Sequence, residues 1–553
     1  MAVKGAELES ELIDTVCERV RERLPQDQAT PCEAFTRQYY QWVPAEDLAD
    51  RNPLDLYGAA VAHWNLAQQR APGEAKVRVY NPEFEQHGWQ SPHTVIEIVS
   101  DDMPFIVDSV TMDLTRGGYA IHLVIHPVMR IRRDADGHII EVLDPDAPDE
   151  DDAVADSILH AEVGREHDRA LLDDLARSIE RVLDDVRAAV EDWQAMRTRT
   201  ETLIEELDEH PPGPIDQATT DETKAFLNWL AEDNFTFLGY RDYDLIEDGE
   251  DTVLKVVEGS GLGILRGGSN NPPKKLTPKV VAFGREPQIL VLTKANSASP
   301  VHRPAYLDYI GVKKFGEDGR PIGERRFLGL YTTSAYKASP RSIPIIRGKV
   351  EGVLRQAGFP PASHDRKALD EILESFPRDS LFQIKTEALF DVAIGILGLG
   401  ERQRLRLFMW HDPLERFVEC LVCIPRDRFN TENRERVGRI LLDALGGVAL
   451  DWTLNLSESR LARVHYIIRC GEAPAGDYDA GTIEARLVQA IRAWTDDLRG
   501  ALLDEHGEED GIKLFKRYER AFPPGYQADW VARSAVADIA RIEELAVSEE
   551  SIT

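Results

Sequence analysis

The polar residues best placed for binding chemistry stand where a strand-like run gives way to a helix-like run. Asp101 and Asp102 follow the β-rich residues 94–99, and Pro104 fits the first turn of the helix that comes next. A helix N-terminus offers unpaired N–H groups and a partial positive charge, which suits a ligand carboxylate. The two aspartates are then candidates for the ammonium group of such a ligand, with ordinary helix capping as the alternative.

A second turn of the same kind lies closer to the C-terminal end. Arg426 and Arg428 flank this turn, and Asn430 or Thr431 is available to cap the following helix. Arginine can hold a carboxylate through two parallel hydrogen bonds. We therefore predict effector-binding positions in both turns, with capping and surface charge as the alternative, at Asp101, Asp102, Arg426, Arg428, Asn430 and Thr431.

Four other motifs favour structural roles. The glycine-rich residues 259–263 have the wrong spacing for a dinucleotide site and no helix follows them, so we predict a turn or loop. Cys420 and Cys423 have zinc-like spacing, but a strand would point them to opposite faces of a sheet, which favours core cysteines. The acidic residues 144–152 lack the pattern of a calcium loop. We predict packing or surface roles for His122, His126, His160 and His167.

No Ser-His-Asp, P-loop, zinc-protease or complete dinucleotide-binding motif is present in the sequence. We therefore predict no catalytic, cofactor-binding or metal-binding residue in this chain. The formal net charge of -33 argues against nucleic-acid and membrane-surface partners, because both are polyanions. Five scattered cysteines indicate a reducing compartment, and with no run of 18 apolar residues the sequence predicts a cytoplasmic protein.

Two blocks of the chain share the element order β-α-β-β-α, which is typical of a ferredoxin-like unit. A block between them reads as one helix followed by mostly antiparallel strands. The fold class is thus α+β with several domains. The C-terminal residues read as a helix that does not complete a domain, so we expect sequence beyond Thr553. The predicted segments are a helical region at 1–75, the first unit with a long helix at 76–210, the middle domain at 215–345, a helical connector at 346–400, the second unit at 401–503 and a final helical segment at 504–553.

Several long strings stand out in the chain. In chain order they are SDDMPFIVDSV (100–110), NFTFLGY (234–240), HRPAYLDYIG (302–311), RRFLGLY (325–331) and PRDSLFQ (377–383). They resemble the N-terminal region of the large bacterial NAD-specific glutamate dehydrogenases. The resemblance implies that the ferredoxin-like units are ACT-like and that the middle domain is PAS-like. It also implies homo-oligomers, amino-acid effectors, and glutamate- and NAD-binding catalytic domains beyond residue 553.

The resemblance implies an enzyme that oxidises L-glutamate to 2-oxoglutarate and ammonium and reduces NAD. Within it, we predict that this chain is a non-catalytic regulatory or assembly region, inactive alone and without its own cofactor. Its predicted partners are other copies of itself and the downstream catalytic domain. A purely structural oligomerisation arm and an independent enzyme are the alternatives. ACT domains that bind amino acids usually carry glycine after the turn proline, where this sequence has Phe105, and this favours packing and subunit contacts.

Overall fold

The structure is a computed structural model that divides into two compact units, Met1–Lys337 and Ala338–Thr553. None of the helices in the described part of the chain is both long enough and apolar enough to cross a membrane. The described residues are 2–49, 51–148, 152–209, 212–213, 215–248, 251–267, 274–400, 402–414, 416–456, 459–471 and 478–547.

Four helices open the first unit, as the apolar spacing of residues 8–70 predicts. Val16, Phe35 and Trp64 come from three different helices and are buried together in one core. The same core includes Ile131 and Ile158 from the sheet that follows, so these helices cover one sheet face. The helices are α1 (Ala2–Arg23), α2 (Gln26–Tyr40), α3 (Ala45–Ala49) and α4 (Pro53–Ala67).

The first sheet has six antiparallel strands in the order β1-β2-β6-β4-β5, with β3 also paired to β6. Its central strands are apolar runs interrupted by single polar residues. Three helices accompany it: α5 (Phe84–His87), α6 (Ile106–Arg116) and α7 (Arg169–Glu209). The strands are β1 (Lys76–Tyr80), β2 (Thr94–Asp101), β3 (Ile121–Ile125), β4 (Val128–Arg133), β5 (Ile139–Val142) and β6 (Ala153–Val163).

The sequence of residues 119–132 predicts a single strand, and this prediction is wrong, because the structure has two strands, β3 and β4, at this place. Pro127 separates them, since proline has no N–H group to donate to a ladder. The short strands β1 and β5 were also not predicted. The acidic loop is exposed at Asp144 and Asp146, while residues 149–151 lie outside the described residues.

Helix α7 is 41 residues long, which corresponds to about 60 Å. Leu175, Ile179, Val182 and Val186 recur every three or four residues and are buried in a core shared with the first sheet. The same core includes Leu238 and other residues of the next sheet. Farther along, Asp192 accepts a hydrogen bond from the Gly263 N–H at 2.7 Å. Helix α7 therefore contacts both sheets.

The second sheet is antiparallel, with seven strands in the order β10-β8-β7-β13-β12-β11 and β9 beside β7. The helix predicted before it extends over α8 (Gln217–Trp229) and a π-type turn at Leu230–Asn234. Helices α9 (Pro278–Arg285) and α10 (Thr333–Lys337) belong to the same domain. The strands are β7 (Phe235–Asp248), β8 (Asp251–Val256), β9 (Leu262–Gly263), β10 (Lys274–Lys275), β11 (Leu290–Ala298), β12 (Tyr306–Phe315) and β13 (Pro321–Tyr331).

The second unit opens with helices α11 (Ile346–Ala357), α12 (His364–Glu374), α13 (Arg378–Gln383) and α14 (Thr386–Leu399). A four-stranded antiparallel sheet follows in the order β14-β15-β17-β16. One helix lies between the second and the third strand along the chain. The first strand, β14, was not predicted from the sequence. These elements are β14 (Arg406–His411), β15 (Phe417–Pro425), α15 (Thr431–Ala444), β16 (Gly447–Asn455) and β17 (Leu461–Cys470).

The sequence of residues 483–498 predicts one helix. This prediction is wrong in one respect, because the chain leaves helical geometry after Ala490 and a new helix starts at Trp494. Asp496 at the start of this new helix accepts the Ala493 N–H at 3.1 Å, so the helix has its own N-terminal cap. The final helices are α16 (Ala480–Ala490), α17 (Trp494–Tyr518), α18 (Pro524–Asp529) and α19 (Ala532–Val547).

Candidate functional site

The turn that carries Asp101 and Asp102 is held by ion pairs within the chain. Asp101 contacts Arg70 Nη1 and Arg187 Nη1, each at 2.8 Å, and accepts the Gly73 N–H. Burial opposes ionisation of Asp101, but the bond from Arg187 and the charge of Arg70 outweigh it and lower its pKa. Asp102 is exposed. Asp101 is thus engaged by arginines, and a ligand ammonium would have to compete with them.

Neither aspartate caps the helix. Pro104 precedes α6 instead of forming its first turn, and the N-cap position is Phe105, whose φ of 76° lies in the left-handed region. Glycine adopts a positive φ of this kind without strain. The backbone at Phe105 therefore has the conformation of a typical glycine position, although a phenylalanine occupies it. The Phe105 ring contacts the His302 ring at 4.8 Å, and the His302 N–H donates to Ser109 Oγ at 3.0 Å. A loop of the second sheet therefore covers this turn.

The second predicted turn lies in the other compact unit. Asn430 caps α15 by accepting the Asn433 N–H at 2.8 Å, as the capping alternative predicts. Arg428 pairs with Asp496 at 2.7 Å, whereas Arg426 and Thr431 are exposed. The structure therefore brings none of the residues of this turn together around a cavity. A ligand role for the six residues in the two turns stays a prediction.

The predicted core role of Cys420 and Cys423 is confirmed. Both lie in β15, three residues apart and fully buried, and only Cys420 belongs to the core beneath α15. Burial raises the pKa of Cys423 to about 12 and that of Cys420 further still. The glycine-rich residues 259–263 begin with a turn, as predicted, but they end in the short strand β9, which was not predicted.

We expect a thiol reagent such as iodoacetamide to modify Cys470 in the folded protein and to spare the other four cysteines. Cys470 is partly exposed, whereas burial raises the pKa of Cys17 to about 11 and that of Cys32 to about 12, so both stay protonated thiols. Mass spectrometry of tryptic peptides measures the labelled sites. Cys470→Ser is expected to abolish native labelling, and all five thiols should react after unfolding. Fast labelling of Cys420 would contradict this expectation.

The predicted histidine group separates in the structure. His122 is exposed and stacks on His93 with ring centroids 4.1 Å apart, and His126 contacts Ser157 Oγ at 2.8 Å. His167 is exposed. Of these four, His160 is the buried one; it packs against Tyr39 and belongs to a polar cluster.

That cluster comprises His63, Glu97 and His160, whose donor atoms lie within 4.8 Å of one another. Three groups of this kind have the composition of a metal site. However, Glu97 accepts bonds from Arg78 at 2.7 Å and Tyr80 at 3.1 Å, and both His63 nitrogens are hydrogen-bonded. The donor atoms are therefore already used by the protein, except for His160 Nδ1, which is buried without a partner.

Next to this cluster, a cavity of about 500 Å³ lies between helices α2 to α4 and the first sheet. Its polar wall is an ion pair in which Arg51 Nη1 and Nη2 lie 2.5 and 2.9 Å from the two Glu162 oxygens. Glu162 is 1% exposed and Arg51 is 30% exposed. Burial alone would raise the pKa of Glu162, but hydrogen bonds from His160 and Arg51 lower it to about 2. The cavity thus holds a carboxylate that stays ionised at neutral pH.

A second polar cluster lies in the other unit, where Ser380, Glu419 and His465 are all buried. His465 Nε2 contacts Glu419 Oε2 at 2.7 Å and Ser380 Oγ at 3.3 Å. In a catalytic triad, serine and carboxylate contact opposite nitrogens of the histidine ring. Here both contact the same nitrogen, so this cluster lacks the geometry that activates a serine nucleophile.

Sequence reasoning missed the cavity because its charged residues are far apart in the chain. Arg51 and Glu162 are separated by 111 positions, and no spacing rule relates them. A signal was nevertheless present, since Glu97, His160 and Glu162 each stand between two apolar residues in a strand. Buried polar residues of this kind need partners, which marks them for closer attention.

Comparisons with known proteins cover nearly the whole chain. The glutamate dehydrogenase ACT1 and ACT2 domains match residues 35–179 and 406–495. Helical motifs 1 and 2 of glutamate dehydrogenase match residues 343–402 and 501–545.

Three relatives share the printed name NAD-specific glutamate dehydrogenase. The protein of Halomonas elongata is 41% identical over 98% of this chain and 34% of its own length. Those of Pseudomonas aeruginosa and Mycobacterium tuberculosis are 35% and 30% identical over 93% and 95% of this chain, which correspond to 32% and 31% of their lengths. The chain thus spans about a third of the length of the curated relatives that it matches.

Proposed function

Because this chain belongs to the family of NAD-specific glutamate dehydrogenases, we propose that it forms part of an enzyme that oxidises L-glutamate to 2-oxoglutarate and ammonium and reduces NAD. The observation that carries the proposal is the 41% identity to the Halomonas elongata protein along 98% of this chain. Identity at this level over several domains supports a shared activity much better than a shared fold would.

The prediction of a non-catalytic regulatory or assembly region is wrong, and so is its alternative of a purely structural arm. Along 98% of its length the chain matches proteins that are named for the enzyme activity itself. The domain matches also carry the name of the enzyme, from residue 35 to residue 545. The resemblance to the family is confirmed, but its restriction to a separate N-terminal region is not supported, because the match runs along almost the entire chain.

The test is an assay of purified protein that contains this chain, at the length at which its host produces it. We expect NADH to form, measured by its absorbance, when L-glutamate and NAD are both present. NADP in place of NAD and D-glutamate in place of L-glutamate are the controls, and both should give little signal. If no NADH forms while the protein is folded and pure, the proposal fails.

The middle domain is also proposed to be PAS-like, which its antiparallel sheet and flanking helices support. The five cysteines are few and scattered along the sequence, which supports a cytoplasmic location.

Self-association is a further proposal. It rests on β16, an edge strand whose outer side is paired to none of the described strands. Trp452 and Leu454 alternate along one face, and together with Val448 and Leu456 they are 37–71% exposed.

We expect Val448→Lys to weaken self-association of the chain by about tenfold or more. Two copies of β16 can pair antiparallel across a two-fold axis, and a lysine at an edge strand opposes such pairing. Val448 is 71% exposed, so its replacement is not expected to disturb the fold. Sedimentation velocity over a dilution series measures the effect. Val531→Lys is the matched control, since Val531 is 72% exposed in the connection between α18 and α19. An unchanged dissociation constant for Val448→Lys, or a chain that is monomeric throughout, would refute this proposal.

A further inference from the structure

The sheet of the second unit carries a cavity of about 200 Å³. The core beneath α15 contains Val464 and Tyr466 of β17, whereas Arg463 and His465 of the same strand line the cavity. Because successive residues of a strand point to opposite faces, the cavity lies on the face turned away from α15. Residues 375–377, which connect α12 and α13, also line it. Pockets for drug-sized molecules begin at roughly 300 Å³, so this cavity suits a small ion.

Four polar side chains form a square along this cavity. Arg463 and His465 are two positions apart on β17, and Asn455 and Thr453 lie directly opposite them on β16. Side chains two positions apart on a strand are about 7 Å apart, and directly opposite side chains are about 5 Å apart. Charge-assisted hydrogen bonds are about 2.8 Å long. An oxyanion with several oxygens can therefore bridge the members of this square.

Three of these side chains can still donate hydrogen bonds. Arg463 uses Nη1 on Ser375 Oγ at 3.0 Å, and among the described residues no carboxylate pairs with its guanidinium. Asn455 donates one Nδ2 hydrogen to the Ser375 carbonyl at 3.0 Å and keeps the other. Thr453 is exposed, and its hydroxyl adds a further donor. This side of the cavity therefore offers an unpaired positive charge with neutral donors around it.

His465 differs from the other three because it can accept a hydrogen bond. The side chain is 5% exposed, and Nε2 contacts Glu419 Oε2 at 2.7 Å. A carboxylate at Nε2 holds a proton on that nitrogen, so Nδ1 of the neutral ring is an acceptor. Neither Glu419 nor Ser380 uses Nδ1, since both contact Nε2. A fitting ligand thus has negatively charged oxygens on one side and an O–H group on the other.

We infer that this cavity binds inorganic phosphate as the hydrogenphosphate dianion. Its unprotonated oxygens accept hydrogen bonds from Arg463, Asn455 and Thr453, and its P–OH group donates to Nδ1 of His465. Sulfate and carboxylates carry no such proton at neutral pH and would bring a lone pair against Nδ1. The formal net charge of -33 repels anions in general, so binding requires specific donors of this kind. The site goes beyond the proposed glutamate oxidation and does not depend on it.

Equilibrium dialysis of the 553-residue chain against radiolabelled inorganic phosphate tests the inference. An ionic strength of about 0.15 M screens long-range repulsion, and at about pH 8.5 an ordinary histidine is neutral. We expect one phosphate per chain, with a dissociation constant below about 1 mM. Sulfate, acetate and methyl phosphate lack an O–H proton at this pH and should compete at least about tenfold less effectively than unlabelled phosphate. No bound phosphate at about 5 mM, or equal competition by sulfate, would overturn the inference.

Two variants separate the site from the fold. Arg463→Met removes the cation and should weaken phosphate binding by at least about tenfold. Arg439→Met is the matched control, because it removes the same charge from an exposed position on α15, on the other side of the sheet. Thr453→Phe fills the cavity, keeps Arg463 and His465, and should abolish binding.

Circular dichroism checks that each variant is folded. If Arg463→Met does not fold, Thr453→Phe decides, since an exposed side chain on an edge strand tolerates replacement. An affinity for phosphate that stays at the wild-type value in either folded variant would show that the inference is wrong.

Discussion

Asp156→Ala is expected to lower the free energy of unfolding of the first compact unit by about 3–5 kcal/mol. The Asp156 side chain is fully buried in β6, and two arginines contact it. Arg70 Nη2 lies 2.5 Å from Asp156 Oδ1 and is 1% exposed, and Arg133 donates to the other oxygen and is 8% exposed. Alanine would leave two buried guanidinium groups without their shared carboxylate, and removing one partner of a buried charge cluster is strongly destabilising.

Urea denaturation followed by tryptophan fluorescence measures this loss. Asp174→Ala is the matched control, because Asp174 pairs with Arg177 on the exposed face of α7, where both side chains are at least 60% exposed. Such surface pairs contribute about 0–1 kcal/mol. If Asp156→Ala does not fold, Asp156→Asn keeps the volume and a hydrogen-bond acceptor and should give a smaller loss. Equal values for Asp156→Ala and Asp174→Ala would contradict the expectation.

The second large effect concerns the pH dependence of stability at Glu162. The pKa of this group is about 2 in the folded chain and 4.5 as an ordinary glutamate. A depressed folded pKa stabilises the protein above the unfolded pKa, and this contribution is lost as the pH falls through the folded value. A shift of this size corresponds to about 3 kcal/mol. We therefore expect the wild-type chain to lose about this much stability from Glu162 between about pH 5 and pH 2.

Glu162→Gln removes the titration and leaves Arg51 without its carboxylate. The difference in unfolding free energy between wild type and Glu162→Gln should thus be large at pH 7 and should shrink as the pH falls below about 5. Thermal denaturation across this pH range measures it. Glu141→Gln is the control, because Glu141 is 52% exposed in its pair with Arg132. A difference between wild type and Glu162→Gln that stays constant with pH would contradict the linkage.

The sequence predicted those parts of the fold that depend on local periodicity. Leu175, Ile179 and Val182 mark the buried face of α7, and Asn430 was identified as a cap. Contacts between distant segments could not be predicted in this way. The Arg70–Asp156 pair joins residues 86 positions apart, and the Arg51–Glu162 pair spans 111. Such pairs depend on how helices dock on the sheet, which the spacing of apolar residues does not specify.

Two errors had local causes. Pro127 was a visible signal for ending β3, because proline cannot donate to a ladder, but the run around it is apolar enough to read as one strand. Pro104 was expected in the first turn of α6, but it precedes the helix, because Phe105 is the N-cap with a φ of 76°. Asp101 pairs with Arg70 and Arg187, and a ligand role for Asp101 and Asp102 stays a prediction.

The two sheets of the first unit share helix α7, and this has a consequence for cooperativity. Residues of the first sheet and Leu238, Val291 and Leu328 of the second sheet belong to one continuous core. A truncation after α7 would remove one wall of that core, and a chain that begins at residue 215 would lack the helix that holds Gly263 and Arg325. The two sheets should then unfold as one unit, with similar hydrogen-exchange protection on both sides of the helix. Domains that look separable in the sequence are, energetically, a single folding unit.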